Sequence, residues 1–360
     1  MSGRILALLI LAAAAAPLHA ESYFAVQQGL KCGACHTSPT GGGLRNAFGN
    51  TWAQSTLAAK YVDVGTQERW SGTVSRYLGI GTNVRANYNY VDTPDAEAVS
   101  EFDLQEARLY VELNAIPDRL SVYFDQRIAP GSSNNREAYA RYWFDDRRWY
   151  VRAGQMYLPY GLRLEDDTAF IREVTGINFD TPDRGVELGF EGGAWSAQLA
   201  VTNGTAGGPE DNQGKQVSLR GEYVQSVWRA GVSANYNDAE AGERQMAGLF
   251  AGLRTGPISW LAEADYIDDK ASSFGEVKQL VGLLEANWLI RQGMNFKLTA
   301  EYFEPDDDVD EDERNRYSAV WEWTPVQFVQ LRIGARVYDG IPQNDNDNRK
   351  IAFAQVNAFF

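Results

Sequence analysis

The 360-residue chain is poor in the side chains that carry most redox and metal chemistry: it has two cysteines, two histidines and four methionines. So few cysteines exclude a disulfide-stapled core. Basic residues are also in deficit, 33 Lys and Arg against 48 Asp and Glu, and a formal charge of −15 at pH 7 argues against nucleic acid as a partner. Beyond the first twenty residues no stretch approaches the roughly 18 consecutive apolar residues of a membrane helix. What the chain has in abundance is 34 glycines with 10 Trp, 18 Tyr and 16 Phe. That composition points to many strands.

The opening segment reads as a signal peptide: Arg4, an apolar run from Ile5 to Ala16, and Leu18-His19-Ala20 as a small-residue cleavage site before Glu21. Cleavage removes one arginine, so 32 basic residues against 48 acidic leave −16 on the exported chain. It also removes His19 and leaves His36 as the one histidine.

Twelve residues past that site stands Cys32-Gly33-Ala34-Cys35-His36, which gathers both cysteines and the remaining histidine. Two thiols three positions apart can each add to a haem vinyl group, and the adjoining imidazole can take one axial position on the iron. A thioredoxin-like CxxC needs a βαβ context that Thr37-Ser38-Pro39-Thr40-Gly41-Gly42-Gly43 does not supply. A structural zinc site needs four N or S ligands where three exist. A simple disulfide leaves His36 without a role. The reading is one covalent haem c on Cys32 and Cys35, with His36 as proximal iron ligand.

From about Trp70 the sequence breaks into segments of roughly ten residues with alternating polarity, the period of a transmembrane barrel strand. Tyr317, Ala319, Trp321 and Trp323 fall on one face, and Arg316, Ser318 and Glu322 on the other. Short turns read Ile116-Pro117-Asp118, Asp145-Asp146, Gly192-Gly193, Gln225-Ser226, Thr255-Gly256-Pro257, Gln292-Gly293 and Thr324-Pro325. Longer polar stretches lie between them: Asp92 to Ser100, Ala129 to Asn135, Pro159 to Arg184, Asn203 to Lys215, Asn237 to Glu243, Asp268 to Gly275, Glu304 to Arg314 and Asp339 to Arg349. Seven turns and eight loops predict an all-β antiparallel barrel of sixteen strands with both termini in the periplasm. The final Phe360 resembles the terminal signal of outer-membrane barrels. Residues 1–20, 21–65 and 66–360 thus read as signal peptide, haem-binding segment and barrel.

Strand parity predicts a lumen lined by Glu106, Arg108, Glu112, Asp125, Arg127, Arg141, Arg148, Arg152, Arg220, Glu222, Arg229, Glu263, Asp265, Lys297, Glu301, Arg316, Glu322, Arg332 and Arg336. Such a mixed, slightly basic interior suits paired charges, haem propionates or small anions. The third long loop, Pro159 to Arg184, carries Phe170, Ile171, Val174, Ile177 and Phe179 and has the apolar residues to fold inward. With no second histidine, the distal iron ligand falls to methionine or to nothing. Met294 shares the lipid face with Phe296 and Leu298, whereas Met156 and Met246 point inward, so one of these two is the expected ligand.

The run Leu30 to Trp52 combines the CxxCH motif, the triplet Gly41-Gly42-Gly43 and the pattern Leu44, Asn46, Phe48, Gly49. Placed ahead of a sixteen-strand barrel, it resembles the fused monohaem cytochrome c–porins of the outer membrane, whose best-known members oxidise iron(II). That resemblance implies a haem segment that plugs the barrel from the periplasmic side, with a helix near Leu44 to Tyr61. It implies electron transfer from an external donor such as Fe(II) to a soluble periplasmic cytochrome. In the seventh long loop Asp306, Asp307, Asp308 and Asp310 offer hard oxygen ligands for surface cations. The competing expectation is a diffusion porin, selective for anions, with the haem-bearing segment as a gate; a trimer is the expected assembly for either.

Overall fold

The alternating segments form a closed barrel in the computed structural model, which describes residues 21–63, 65, 69–131, 133–178, 181–210, 212–239, 242–272 and 275–360. The expected signal peptide and Phe179 lie outside the described residues. A short strand β1 (Thr73–Ser75) leads into sixteen barrel strands. These are β2 (Leu78–Asp92), β3 (Val99–Ile116), β4 (Leu120–Ala129), β5 (Asn134–Phe144), β6 (Trp149–Met156), β7 (Asp183–Gly192), β8 (Trp195–Thr202) and β9 (Gln216–Val224). They continue as β10 (Trp228–Ala239), β11 (Gly242–Thr255), β12 (Ile258–Asp269), β13 (Val277–Arg291), β14 (Met294–Glu304), β15 (Arg314–Val326), β16 (Val329–Asp339) and β17 (Lys350–Phe359). Each pairs antiparallel with its sequence neighbours, and β17 pairs with β2 to close the ring. Closure leaves no open edge, which is what lipid demands of a β-structure.

The burial pattern is inside out relative to a soluble protein. Outward positions are large, apolar and exposed, among them Leu249, Leu284, Val232, Tyr317 and Ile333, while the alternate positions hold buried Arg, Glu, Asp and Asn. Among the described residues no helix is long and apolar enough to cross a membrane; the strands do so. Six of the seven short turns fall where the polarity pattern put them. The seventh is displaced: β15 runs through Thr324 and Pro325, and the chain reverses at Gln327-Phe328. Proline is tolerated there because the β15–β16 ladder is already irregular between Trp323 and Val326, so no regular ladder donor is lost.

Two segments fill the lumen. Residues 21–63 sit at the short-turn end, and the third long loop folds inward from the other end. The first segment begins with helix α1 (Ser22–Gln28), which the sequence reading missed. Gly29, at φ 62°, ends it in a left-handed turn: Leu30 N–H donates to Ala25 O at 2.9 Å and Gly29 N–H to Val26 O at 3.2 Å. The expected helix over 44–61 is shorter, comprising α2 (Ala47–Trp52) continued by a wider turn over Ala53–Leu57. Leu44 to Asn46 are extended instead, because they pair with the CxxCH motif.

Candidate functional site

The geometry around the motif follows from three local devices. A 3-10 turn over Cys32–Ala34 brings Cys35 N–H and His36 N–H to the Cys32 carbonyl, each at 3.1 Å. Three successive glycines, Gly41 to Gly43 at φ 89°, 72° and 62°, then reverse the chain through left-handed conformations that side chains resist. The returning strand pairs back onto the motif, with Thr37 N–H on Leu44 O at 2.9 Å and Asn46 N–H on Cys35 O at 3.0 Å. This sets His36 directly across from Arg45. Asn46 locks the arrangement: it caps α2 by accepting from Gly49 N–H at 3.0 Å and donates to the Gly33 and Ala34 carbonyls at 3.3 and 3.0 Å.

The wall grips this segment from nearly every side. Arg141 of β5 donates to Thr37 O at 2.5 Å, Arg229 of β10 to Leu30 O at 2.6 Å and Arg254 of β11 to Gln27 O at 2.7 Å. Tyr123 of β4 accepts from Leu44 N–H at 3.0 Å, and Tyr23 donates to Glu322 of β15 at 2.5 Å. Glu21 is buried between Lys297 at 2.9 Å and Arg332 at 3.2 Å.

Cys32, Cys35 and His36 all line one small cavity of about 50 Å³. Its apolar walls come from Phe24, Ala25, Leu30, Trp52 and Leu57, and its charged ones from Arg45 and Arg163. Both thiols are free. Burial pushes the Cys35 thiol up to about 11, with nearby Arg45 pulling the other way. A larger vestibule of about 800 Å³ opens at the short-turn end and shares His36 and Arg45 with the inner cavity. Two thiols, an imidazole, apolar walls and cationic groups form a donor set that fits a covalently attached porphyrin.

The third loop seals the space above. Its short helix α3 (Phe170–Glu173) buries Phe170 and Ile171, and Ile177 is also buried, as the inward reading expected. Asp166 meets Arg316 at 3.1 Å and Arg336 at 2.8 Å, and Glu165 meets Arg85 and Arg332 at 3.4 Å each. Burial alone would raise the Asp166 carboxyl, but Arg336 and Arg316 outweigh it and hold it well below the usual carboxylate range. The two segments touch: Arg163 donates to Gly41 O at 2.5 Å, and Ser22 donates to Arg163 O at 2.6 Å.

Eighteen of the nineteen parity residues line the lumen, tied into pairs such as Arg152–Glu187 at 2.8 Å and Arg141–Glu112 at 2.9 Å. Arg148 does not: it lies in the Asp145-Asp146 turn, exposed, and pairs with Asp145 at 2.6 Å because β6 starts one residue later. Met156 and Met246 are both buried inside, as parity placed them, yet the structure does not bring either to the His36 cavity. Met156 packs with Leu44, Tyr110, Tyr123 and Tyr139, and Met246 with the third loop's apolar cluster. The seating of the motif at the short-turn end, away from the outer ends of the strands, is the reason. Asp306, half-buried, and the exposed Asp307 and Asp308 bring carboxylate oxygens within 4.8 Å of one another, and Asp310 stands outside the group.

Several lumen groups escaped the sequence reading. Glu137, Glu187, Glu285 and Arg85 obey the same parity and were legible in principle, whereas Arg136 breaks it and is buried beside Glu137 where the β4–β5 ladder shifts register. Glu21, Arg45, Arg163, Glu165 and Asp166 come from the two inserted segments, where no periodicity identifies the buried face.

Comparison with known proteins bears on the wall. Residues 78–250 match the family model of phosphate-selective porin O and P. No curated protein sequence matches the chain. Among solved structures, OmpT of Vibrio cholerae is similar at TM-score 0.60 and 9% identity, over 80% of this chain and 99% of that one. The anion-selective porin from Comamonas acidovorans gives 0.59 and 12%, over 79% and 99%. OprB of Pseudomonas putida gives 0.61 and 10%, over 79% and 94%. At such identities the likeness concerns fold. By fold, the chain is a sixteen-strand β-barrel of the outer-membrane porin type.

Proposed function

We propose that the chain is an outer-membrane electron-transfer protein, a porin-type barrel with one covalent haem c in its lumen. Cys32 and Cys35 would hold the group and His36 would be a ligand to its iron. The observation that supports this is the convergence of both thiols and the imidazole on one largely apolar cavity. When bound, haem supplies a reversible one-electron couple. The chain's own residues do the rest: Phe24, Trp52 and Leu57 exclude water, and the glycine reversal fixes His36. Bacterial barrels keep their short turns in the periplasm, so the vestibule faces that compartment and gives a soluble periplasmic cytochrome direct access. An external donor such as Fe(II) has the loop-filled half of the lumen between it and the site.

A second reading, anion diffusion, is favoured by the comparisons: a phosphate-selective family model over half the wall and an anion-selective porin among the similar folds. It requires both inserted segments to move, since together they occupy the lumen. One of the OmpT structures is a trimer, and a trimer of this chain suits either reading.

Planar-bilayer conductance and stopped-flow reduction of the purified protein separate the two. The electron-transfer reading predicts small conductance and a haem spectrum that ferrous iron or a reduced periplasmic cytochrome shifts from the ferric to the ferrous form. Large, anion-selective conductance with no reducible haem would establish the porin reading instead.

A further inference from the structure

We propose that Arg45 is the counter-charge for an ionised carboxylate of the bound haem, held beside His36. The inference rests on the haem reading above and deepens it. Haem carries two propionates, and covalent attachment through its vinyl edge leaves them to find cations within the protein.

Three observations single out Arg45 among the lumen arginines. First, it is the cross-strand partner of His36, so backbone pairing puts the two side chains on one face of the motif. Second, it lines both the inner cavity and the vestibule, as His36 does. Third, only 8% of it is exposed, yet among the described residues it forms no ion pair. Its guanidinium lies instead over the Phe359 ring, 4.4 Å from the centroid. The contrast with Arg152 and Arg332, each buried against carboxylates, is direct.

The titratable groups acting on Arg45 are Tyr110 of β3, Cys35 on its own segment and Glu165 of the third loop. Glu165 is already engaged by Arg85 and Arg332. A guanidinium keeps its charge at neutral pH. A buried cation without an anion is costly, and the cavity it borders is where the missing anion would sit. Free phosphate has the same oxygen chemistry, so the test must tell the two apart.

The full chain in detergent, as wild type, Arg45→Gln and Arg45→Lys, would be assayed for covalent haem by pyridine haemochrome and for midpoint potential between pH 5 and 9, with and without phosphate. Heat-modifiable gel mobility reports whether each variant folds. With haem retained, Arg45→Gln should lower the potential, because an unbalanced carboxylate favours ferric iron. The expected change in the ferrous-to-ferric ratio at fixed ambient potential is about tenfold, or about 59 mV for one electron. The potential should also gain a pH dependence, and Arg45→Lys should restore most of the wild-type behaviour. An unchanged potential in folded, haem-bearing Arg45→Gln would overturn the assignment and leave the haem reading intact. A wild-type potential that responds to phosphate through Arg45 would place a free anion there and overturn it too. A folded wild-type chain without covalent haem would defeat both readings together.

Discussion

The barrel wall and the segment it encloses are built on opposite principles. The wall repeats one rule sixteen times, apolar outward and polar inward, and every strand has two neighbours to enforce its register. Residues 21–63 repeat nothing. Their conformation depends on single features: one glycine ending α1, one triplet reversing the chain, one asparagine clamping turn to helix. Redundancy makes the wall legible and tolerant, whereas the enclosed segment is specified point by point and is correspondingly fragile.

The largest test of that contrast lies where the two meet. Arg332 on β16 contacts Glu21 of the enclosed segment, Glu165 of the third loop and Glu322 of the wall, at 3.2, 3.4 and 3.2 Å. Arg332→Met strands buried carboxylates on all three. A loss of about 3–5 kcal/mol is expected, read as a lower unfolding midpoint in detergent. The barrel's strand content should survive, with protease access to residues 21–63 increased.

A smaller effect is expected from Gly43→Ala. The residue sits at φ 62°, and an added Cβ would run into the Tyr123 hydroxyl that anchors Leu44. Backbone strain of about 1–3 kcal/mol should loosen the motif while leaving strand circular dichroism unchanged. The same change at Gly221 in β9, whose added Cβ would meet only Val232 at 3.9 Å, should be nearly silent. Equal effects at both positions would erase the distinction between wall and enclosed segment.

The smallest effect is the pH dependence of the third loop. Asp166 is depressed in the folded protein, so its contribution is present above the ordinary value of 3.8 and is lost as pH falls below it. Acidification should therefore leave the loop in place at pH 5 and weaken its hold only progressively below pH 3.8, seen as conductance or protease access that rises the further the pH falls. Asp166→Asn should open the loop already at neutral pH and flatten the acid response.

The same contrast explains what could be read from sequence. All sixteen strands and the inward third loop were legible because a period of two is over-determined: one misplaced residue, such as Arg148, leaves the pattern intact. Pro325 misled because proline ordinarily marks a turn, and only the irregular end of the β15–β16 ladder allows it inside a strand. Helix α1, with seven residues, is too short to show a helical period, and Gly29 was its one signal. The pairing of Arg45 with His36 depends on how three left-handed glycines redirect the chain, which spacing cannot disclose. The methionines were correctly turned inward by parity, but parity fixes a face and not a height along the barrel.

The most direct test of the account is haem staining of the full-length protein, expressed with a periplasmic haem-attachment system and run on a denaturing gel, beside Cys32→Ser/Cys35→Ser. The account predicts a stained band for the wild type and none for the double variant, with both showing the heat-modifiable mobility of an intact barrel. A folded wild-type barrel that carries no covalent haem would contradict it.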